Sequence, residues 1–334
     1  MREPPYPTVL KPYGETLVEI ARQRPEIVCL SADLTRQCEI DLFQDQIPDR
    51  FVNVGMAEAQ MMSMAGALAR EGHIPFAHTF GVFATRRPLD QIVNSIAYPN
   101  LPVRIVGFMP GVSSPGGPSH QAIEDVALMR ALPNMTVIDV ADATEIRQVV
   151  PAVVDVPGPV YIRLKRGEIP VIFDDTHEFS LDEAQVLVDG TDVALIANGM
   201  MLSAALAASR TLAGAGVSAA VVNVPVIKPL DSETILDVAS RVEAVVTAEN
   251  HTIVGGLGTA VAETLAEAGA GVPLRRVGLA DTFAEGARTG PWLFRKYGLT
   301  TQDVVDAAWQ ALGRSDPPPV AETVPSSEGE YAPV

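Results

Sequence analysis

Short apolar runs alternate with helical patterns along almost the whole chain. Continuous apolar runs at 26–32 and 102–108 predict buried strands, and an amphipathic stretch at about 14–24 predicts a helix before the first of them. Strands that are apolar on both faces are typical of parallel sheets covered by helices on each side. The pattern therefore predicts an α/β fold.

The predicted elements form two groups, separated by an irregular polar stretch at 167–185. In the first group, strands are predicted at 26–32, 51–54, 74–78, 102–108, 135–140 and 159–164, with helices at about 14–24, 57–71, 81–98, 121–131 and 142–154. In the second group, strands are predicted at 192–198, 217–224, 243–248 and 274–278, with helices at about 200–213, 232–240, 255–268 and 302–312.

This division predicts two doubly wound parallel-sheet domains, at residues 1–178 and 179–314. The remaining stretch, 315–334, is rich in proline and acidic residues, which predicts a disordered tail. With 47% apolar residues, a chain of 334 residues can fill two cores of this size.

The acidic net charge argues against some kinds of binding partner. The formal net charge of −17 is unfavourable for a nucleic-acid interface and for an anionic membrane surface, which both require clustered Lys and Arg. No apolar run reaches the roughly 20 residues of a bilayer span. A local basic pocket for a small anionic substrate stays compatible with this charge.

Neither cysteines nor histidines form a recognisable framework. Cys29 and Cys38 fit neither a disulfide scaffold nor a zinc site, and the five histidines lack metal-ligand spacing, so no metal site is predicted in this chain. With no signal peptide after Met1, we expect a reducing cytoplasm. The glycines of GGLGTA at 255–260 are interpreted as a strand-to-helix turn rather than a dinucleotide loop.

Three segments carry side chains suited to chemistry. The segment FVNVGMAEAQMM at 51–62 places Glu58 in the first turn of a helix, just past a buried strand, where ligands of α/β sheets bind. Phe80 and Phe83 follow the next strand and suit either an aromatic wall or the core. The glycine-rich loop GVSSPGGPS delivers His120 to the start of a helix. Taken singly, each of these residues also has a purely structural interpretation, such as a first-turn glutamate on the helix dipole.

The order and spacing of the motifs resemble the C-terminal half of transketolase, a thiamine-diphosphate enzyme. Similar to its pyrimidine-binding domain are SADLT at 31–35, RFVNVGMAE at 50–58, TFGVF at 79–83, GGPSHQ at 116–121, EDVALMRALPN at 124–134 and YIRLKRGEIP at 161–170. Similar to its C-terminal domain are GTDVALIANG at 190–199, TAENHTIVGGLG at 247–258 and GLADTFAEG at 278–286. The resemblance covers residues 10–312.

The chain looks especially like one half of a split transketolase, in which the two halves are separate chains. The family binds Mg²⁺ and the diphosphate through a GDG motif, and no GDG occurs in this sequence. The resemblance therefore implies a partner chain that binds Mg²⁺ and the diphosphate, and inactivity of this chain alone. It further implies an α2β2 assembly in which the pyrimidine-binding domains pair across a two-fold axis.

The resemblance also implies roles for individual residues. Glu58 matches the glutamate that hydrogen-bonds N1′ of the cofactor's aminopyrimidine, which helps the thiazolium carbon to lose its proton. Phe80 and Phe83 match positions that pack against the pyrimidine, and Asp33 matches an acidic residue near the cofactor at the subunit interface. His120 matches a histidine that contacts sugar oxygens near the reacting carbon, so it is expected to be both catalytic and substrate-binding.

The substrate-binding positions include departures from the family pattern. Arg166 lies at the family's substrate-phosphate arginine, with Arg163 as its nearest alternative. Gln37 stands where a phosphate-binding serine is common, and the neighbouring Arg36 could compensate or the substrate could differ. Gly116 stands where sugar transketolases usually have an aspartate that recognises a donor hydroxyl. The donor is therefore left open.

The implied reaction cleaves a ketose between C2 and C3 and transfers a two-carbon ketol unit to an aldehyde. An alternative is a thiamine-dependent synthase or dehydrogenase subunit that decarboxylates a 2-oxo acid, because such a substrate needs no partner at Gly116. A non-catalytic scaffold subunit is the other alternative, and the presence of Glu58, Phe80 and His120 argues against it.

Overall fold

The computed structural model describes residues 1–287 and 289–321. Within them the strands are β1 (Thr8–Leu10), β2 (Ile27–Ser31), β3 (Phe51–Asn53), β4 (Ile74–Phe80), β5 (Arg104–Phe108), β6 (Thr136–Asp139), β7 (Val160–Leu164), β8 (Glu168–Pro170), β9 (Gln185–Val188), β10 (Val193–Ala197), β11 (Ala219–Asn223), β12 (Val226–Lys228), β13 (Ala244–Thr252) and β14 (Leu274–Leu279).

The α-helices of the same residues are α1 (Pro12–Gln23), α2 (Asp41–Gln46), α3 (Glu58–Arg70), α4 (Gly81–Thr85), α5 (Leu89–Ile92), α6 (Asp125–Arg130), α7 (Ala143–Val154), α8 (Leu202–Gly214), α9 (Ser232–Ala239), α10 (Leu257–Glu267), α11 (Gly290–Lys296) and α12 (Thr301–Ala311). Short 3₁₀ turns lie at Pro48–Arg50 and Gly199–Met201, and a π-helical turn lies at Val93–Ala97.

Two main sheets carry the fold. The first has seven strands in the order β12-β6-β7-β5-β4-β2-β3, and the second has five in the order β14-β13-β10-β11-β9. Neighbouring strands are parallel except at one edge of each sheet, where β12 and β9 run antiparallel to β6 and β11. β1 and β8 form a small separate antiparallel pair.

Helices cover both faces of each sheet. On the first sheet, Leu17 of α1 and Val150 of α7 pack on one face, while Met61 of α3 packs on the other. On the second sheet, Trp309 of α12 and Val261 of α10 lie on opposite faces. The central strands of both sheets are buried on both faces, which is why they are predominantly apolar, with Arg104 of β5 and Arg163 of β7 as buried exceptions. The prediction of an α/β fold with two doubly wound, mostly parallel sheets is confirmed.

The structure differs from the predicted elements at a few places. The helix predicted at 81–98 is divided into α4, α5 and the π-helical turn, because Pro88 cannot donate a backbone hydrogen bond inside a helix. The helix predicted at 121–131 begins only at Asp125, and β13 extends to Thr252. The short edge strands β1, β8, β9 and β12, together with helices α2 and α11, were not predicted.

The two predicted domains are interleaved at β12. This strand lies at Val226–Lys228, inside the predicted second domain, but it forms the edge of the first sheet beside β6. The boundary between 178 and 179 stays a prediction.

The C-terminal stretch after α12 is described in part. Of the predicted disordered tail, 315–334, residues 315–321 are described and the rest lies outside the described residues. Residues before it contact α12: Trp309 Nε1 donates to the Asp316 carbonyl at 2.8 Å, and Ala321 N donates to Gln302 Oε1 at 2.8 Å. Across the described part of the chain, every helix is too short or too polar to cross a bilayer.

Candidate functional site

The candidate site lies at the carboxyl ends of β2, β3 and β4, which are neighbours in the first sheet. β3 leads through Gly55, whose φ of 75° favours glycine, into the start of α3 at Glu58. β4 ends at Phe80 and runs directly into α4, which carries Phe83. Because parallel strands end at the same edge, the sheet brings these side chains to one end of the domain.

Glu58 is buried and held by an arginine. It is 4% exposed, and Arg87 Nη1 donates to its Oε1 at 2.7 Å. Within residues 1–287 and 289–321, its other oxygen, Oε2, has no hydrogen-bond partner in the chain. A ring nitrogen of a bound ligand could therefore be the partner of Oε2.

Arg87 was missed by sequence analysis. Its guanidinium lies 4.1 Å from the ring centre of Phe83 while it binds Glu58, so it links the acid to the aromatic wall. The two adjacent arginines after TFGVF were a signal that a cation stood near the site. The sequence could not tell which of Arg86 and Arg87 turned towards Glu58.

Phe80, Phe83 and His120 form one aromatic cluster. The rings of Phe80 and Phe83 are nearly parallel, at 22°, with centroids 6.0 Å apart. His120 meets Phe83 edge-on, with centroids 5.3 Å apart, and its Nδ1 lies 2.9 Å from Ser119 Oγ. The structure thus joins Glu58, Phe83 and His120 in a continuous set of contacts through Arg87.

Gly116 leaves room for His120. A Cβ atom built on Gly116 would lie 2.9 Å from Cβ of His120 and 3.0 Å from its Cγ, which is closer than real Cβ contacts. The histidine therefore packs directly on the glycine. An aspartate at this position would require His120 to move.

Arg86 holds the segment around His120. Its guanidinium forms an ion pair with Glu124, and it donates to the carbonyls of Pro118 at 2.9 Å and Gln121 at 3.2 Å. The residues that Arg86 binds come both before and after His120 in the sequence. Arg86 and Arg87 thus act in different places, one on the loop and the other on Glu58.

Asp33 lies beside the turn that precedes Glu58. It is exposed, with a φ of 69°, and its backbone N donates to Asn53 Oδ1 at 3.2 Å. Asn53 Oδ1 also accepts from Gly55 N at 2.9 Å. Asn53 thus links the ends of β2 and β3. Sequence analysis missed this role, although Asn53 lies within the motif that identified Glu58.

The residues predicted to bind an anion lie outside the cluster of Glu58, Phe83 and His120. Arg36 is exposed and Gln37 is half-buried in the turns after β2, and Arg166 is half-buried beyond β7. Burial raises the pKa of the Cys38 thiol well above its usual value, and the nearby Arg166 charge opposes that rise, so Arg166 lies close to this turn. Over the described residues, no hydrogen bond or ion pair joins Arg36, Gln37 or Arg166 to Glu58 or His120.

Arg163 is excluded as an anion-binding residue. It is fully buried, and it forms ion pairs with Asp125 at 2.8 Å and Asp139 at 2.5 Å. A guanidinium surrounded in this way cannot reach a substrate. Of the two arginines considered from the sequence, only Arg166 remains accessible.

The GGLGTA segment has a structural role. Glu249, at 1% exposure, accepts from Leu257 N at 2.7 Å and Gly258 N at 2.9 Å, at the start of α10. Burial raises the pKa of Glu249 to about 7, and these two backbone bonds oppose that rise. The chain's own carboxyl therefore occupies the position where a dinucleotide phosphate would bind.

The site fits an aminopyrimidine. A flat heterocycle needs an aromatic surface and a polar partner for its ring nitrogen, which Phe80 with Phe83 and Glu58 Oε2 supply. The described part of the chain contains no group of three His, Cys, Asp or Glu side chains arranged to hold a metal ion.

Comparison with known proteins identifies the family. The family model "Transketolase, pyrimidine binding domain" matches residues 6–171, and "Transketolase, C-terminal domain" matches residues 182–304. The chain is 43% identical over 305 residues to the 6-deoxy-6-sulfo-D-fructose transketolase subunit SqwH of Clostridium sp. (strain MSTE9), covering 91% of this chain and 94% of that protein. It is 33% identical to the 1-deoxy-D-xylulose-5-phosphate synthase of Synechococcus sp. (strain WH7803), of which it spans about half (49%).

Solved structures agree with this assignment. A structure described as a split gene transketolase, inactive β4 tetramer, is 44% identical, with a TM-score of 0.84, and covers 91% of this chain and 97% of that one. Transketolase from Campylobacter jejuni, at 19% identity and a TM-score of 0.76, shares the fold. The chain belongs to the transketolase family and contains its pyrimidine-binding and C-terminal domains, as in a split transketolase subunit.

Proposed function

We propose that this chain is the pyrimidine-binding subunit of a split, thiamine-diphosphate-dependent transketolase that transfers a two-carbon ketol unit from a ketose to an aldose. The observation that carries the proposal is the buried Glu58, one oxygen of which accepts a hydrogen bond from Arg87, whose guanidinium also lies over the ring of Phe83. When bound, thiamine diphosphate supplies the electron sink that cleavage of a carbon–carbon bond next to a carbonyl requires.

The chain's own residues bind and orient the reactants. Phe80 and Phe83 provide a surface for the aminopyrimidine, and Glu58 can hold or accept a proton at Oε2. His120 Nδ1 is engaged by Ser119, which leaves Nε2 for a sugar oxygen that gains negative charge during the reaction. Asp33 is proposed to lie near the cofactor where two subunits meet.

The partner is proposed to be a separate chain that binds the diphosphate and Mg²⁺, in a cytoplasmic α2β2 assembly with paired pyrimidine-binding domains. This proposal is supported by the similarity to one relative described as a transketolase subunit and to a solved structure described as a split gene transketolase, inactive β4 tetramer. In this proposal residues 1–178 and 179–314 are the two domains.

The donor is proposed to be a ketose with an anionic group at its far end, bound by Arg166 with help from Arg36 and Gln37. Similarity to the 6-deoxy-6-sulfo-D-fructose transketolase subunit SqwH supports a sulfonated ketose as one candidate. The reconstituted pair should be assayed with the sulfonated ketose, fructose 6-phosphate and unmodified fructose. Equal activity with unmodified fructose would contradict the anionic requirement.

Glu58→Gln tests the catalytic assignment. Glutamine keeps the size of the side chain and can still accept from Arg87, but it cannot hold a proton. Ketol transfer by the reconstituted pair is expected to fall by about 10²-fold or more. Glu71→Gln, at the exposed end of the same helix, is the matched control and should leave the rate unchanged. A Glu58→Gln rate equal to that of the wild type would contradict the proposal and favour a scaffold subunit.

A decarboxylating synthase is the second candidate. Gly116 favours it, because a 2-oxo acid such as pyruvate has no donor hydroxyl for an aspartate at this position to recognise. The similarity to 1-deoxy-D-xylulose-5-phosphate synthases is consistent with it. Release of carbon dioxide from pyruvate by the reconstituted pair, without transfer from any ketose, would favour this candidate over ketol transfer.

A further inference from the structure

The loop that carries His120, residues 109–121, is held by the second domain. Asn250, on β13, accepts a hydrogen bond at Oδ1 from Val112 N at 3.0 Å and donates from Nδ2 to the Pro110 carbonyl at 3.1 Å. Asn250 is 2% exposed. One side chain of the second sheet therefore binds both a donor and an acceptor of this loop.

The surroundings of Asn250 leave it little freedom. A Cβ on Gly111 would overlap the Asn250 side chain, so the backbone approaches as closely as glycine allows. The Asn250 carbonyl accepts from Arg163 Nη2 at 3.0 Å, and Arg163 is fixed by its buried ion pairs. Val112 itself packs into the core of the second domain.

A second set of contacts holds the same loop closer to His120. Ala287 N donates to the Pro115 carbonyl at 3.0 Å. Gln121 Nε2 donates to the carbonyls of Ser114 at 3.0 Å and Glu285 at 3.2 Å. The segment from Pro115 to Gln121, which contains His120, is thus fastened at both ends to the second domain.

We propose that the second domain supports the substrate loop and that Asn250 is the positioning residue that sets His120. Without such a support, a loop rich in glycine would sample many conformations. His120 packs on Gly116 and on the edge of Phe83, so a shift of the loop moves the imidazole away from its place in the site. This inference rests on the substrate-binding role proposed for His120.

Asn250→Ala tests the proposal in the chain reconstituted with its partner. The value of kcat/KM for the ketose donor is expected to fall by about 10- to 100-fold, because small displacements of a positioning group have large effects on rate. The dissociation constant for thiamine diphosphate, measured by calorimetry, should stay unchanged, since Glu58, Phe80 and Phe83 belong to other elements. Asn250→Asp keeps the acceptor for Val112 but sets a carboxylate oxygen against the Pro110 carbonyl, so a fall in kcat/KM is expected for this variant too.

Asn223→Ala is the matched control. Asn223 is also a fully buried asparagine of the second domain, and its Nδ2 donates across the same interface to Glu145 Oε1 at 2.6 Å. In the described residues it makes no bond to the 109–121 loop. Asn223→Ala should lower thermal stability without changing the kinetics for the donor.

Hydrogen exchange separates this inference from the proposed function. Amides of 111–121 should exchange faster in Asn250→Ala than in Asn223→Ala, in the isolated chain as well as in the assembly. If Asn250→Ala does not fold, Asn250→Asp and Gln121→Ala are measured in its place. Unchanged exchange in Asn250→Ala would contradict the proposal that Asn250 holds the loop. Faster exchange with an unchanged kcat/KM would contradict the proposal that this hold matters for the reaction. A neutral Glu58→Gln would instead contradict the proposed function.

Discussion

The lack of a side chain at Gly116 determines where His120 can lie. His120 packs so closely on this glycine that a Cβ atom would meet both Cβ and Cγ of the histidine. The near atoms belong to the base of the His120 side chain, which cannot turn away as a flexible tip could. The identity of residue 116 and the position of His120 are therefore coupled.

Gly116→Asp is expected to lower activity rather than to confer the usual donor recognition of sugar transketolases. The new side chain would displace His120, and we expect kcat/KM for the donor to fall by about tenfold or more. Gly116→Ala should show most of the same loss, because the clash begins at Cβ. Gly214→Ala, at a helical glycine whose Cβ meets open space, is the control for a glycine replacement and should be neutral. A more active Gly116→Asp would contradict the coupling.

At the residue scale, Glu58 could be identified from the sequence, whereas its ion-pair partner Arg87 could not. Glu58 could be identified because a strand, a glycine turn and a helix start follow one another along the chain. Arg87 lies 29 residues away, and its direction depends on how α4 ends before Pro88. Arg163 shows the same limit, since no local pattern distinguishes its buried ion pairs from the accessible position of Arg166.

At the scale of elements, β4 connects a buried histidine to the site. His78, two residues before Phe80, is fully buried, and its Nδ1 lies 3.0 Å from the Leu30 carbonyl. A carbonyl can only accept, so Nδ1 donates, and Nε2 therefore accepts from the Tyr13 hydroxyl at 2.6 Å. Both ring nitrogens are satisfied in the neutral form. Burial accordingly lowers the pKa of His78 from 6.5 to about 4.

The lowered pKa of His78 should be visible in how the stability of the protein changes with pH. Below pH 6.5 the unfolded chain binds a proton at His78 while the folded protein does not, so acidification towards pH 4 favours unfolding. Between pH 6.5 and pH 4, we expect the free energy of unfolding of His78→Gln to fall less than that of the wild type. The gap between the two proteins should change by roughly 3 kcal/mol over this range. Urea unfolding at several pH values measures it. Parallel pH curves for the two proteins would contradict a buried neutral His78.

The long elements could be predicted from their pattern, whereas most of the three-residue strands could not; β3 was an exception, predicted at 51–54 before the Gly55 turn. The strands β2, β5, β7, β10 and β11 are predominantly apolar because both faces are buried. β1, β8 and β12 have three residues each, too few for any periodicity to appear. Their pairing depends on which segments the tertiary fold brings to an open strand edge.

At the scale of the whole molecule, the two domains share buried polar contacts and one strand. β12 extends the first sheet from within the second half of the chain. Asn198 donates to Asp139 at 3.1 Å across the interface, and Arg163 binds Asp139 as well as the carbonyl of Asn250. The linker predicted from composition thus separates two sheets that are joined again through buried charges.

Arg163→Met tests whether this buried arginine joins the two domains. The substitution leaves the carboxylates of Asp125 and Asp139 without their cation in the interior, so we expect the free energy of unfolding to fall by about 3 to 5 kcal/mol. Arg24→Met, which removes an arginine from the ion pair with Asp155 at the surface, should leave the urea midpoint unchanged. Because Arg163 also anchors Asn250, amides of the 109–121 loop should exchange faster before global unfolding. A small loss of stability with unchanged exchange would show that the domains are held together without this network.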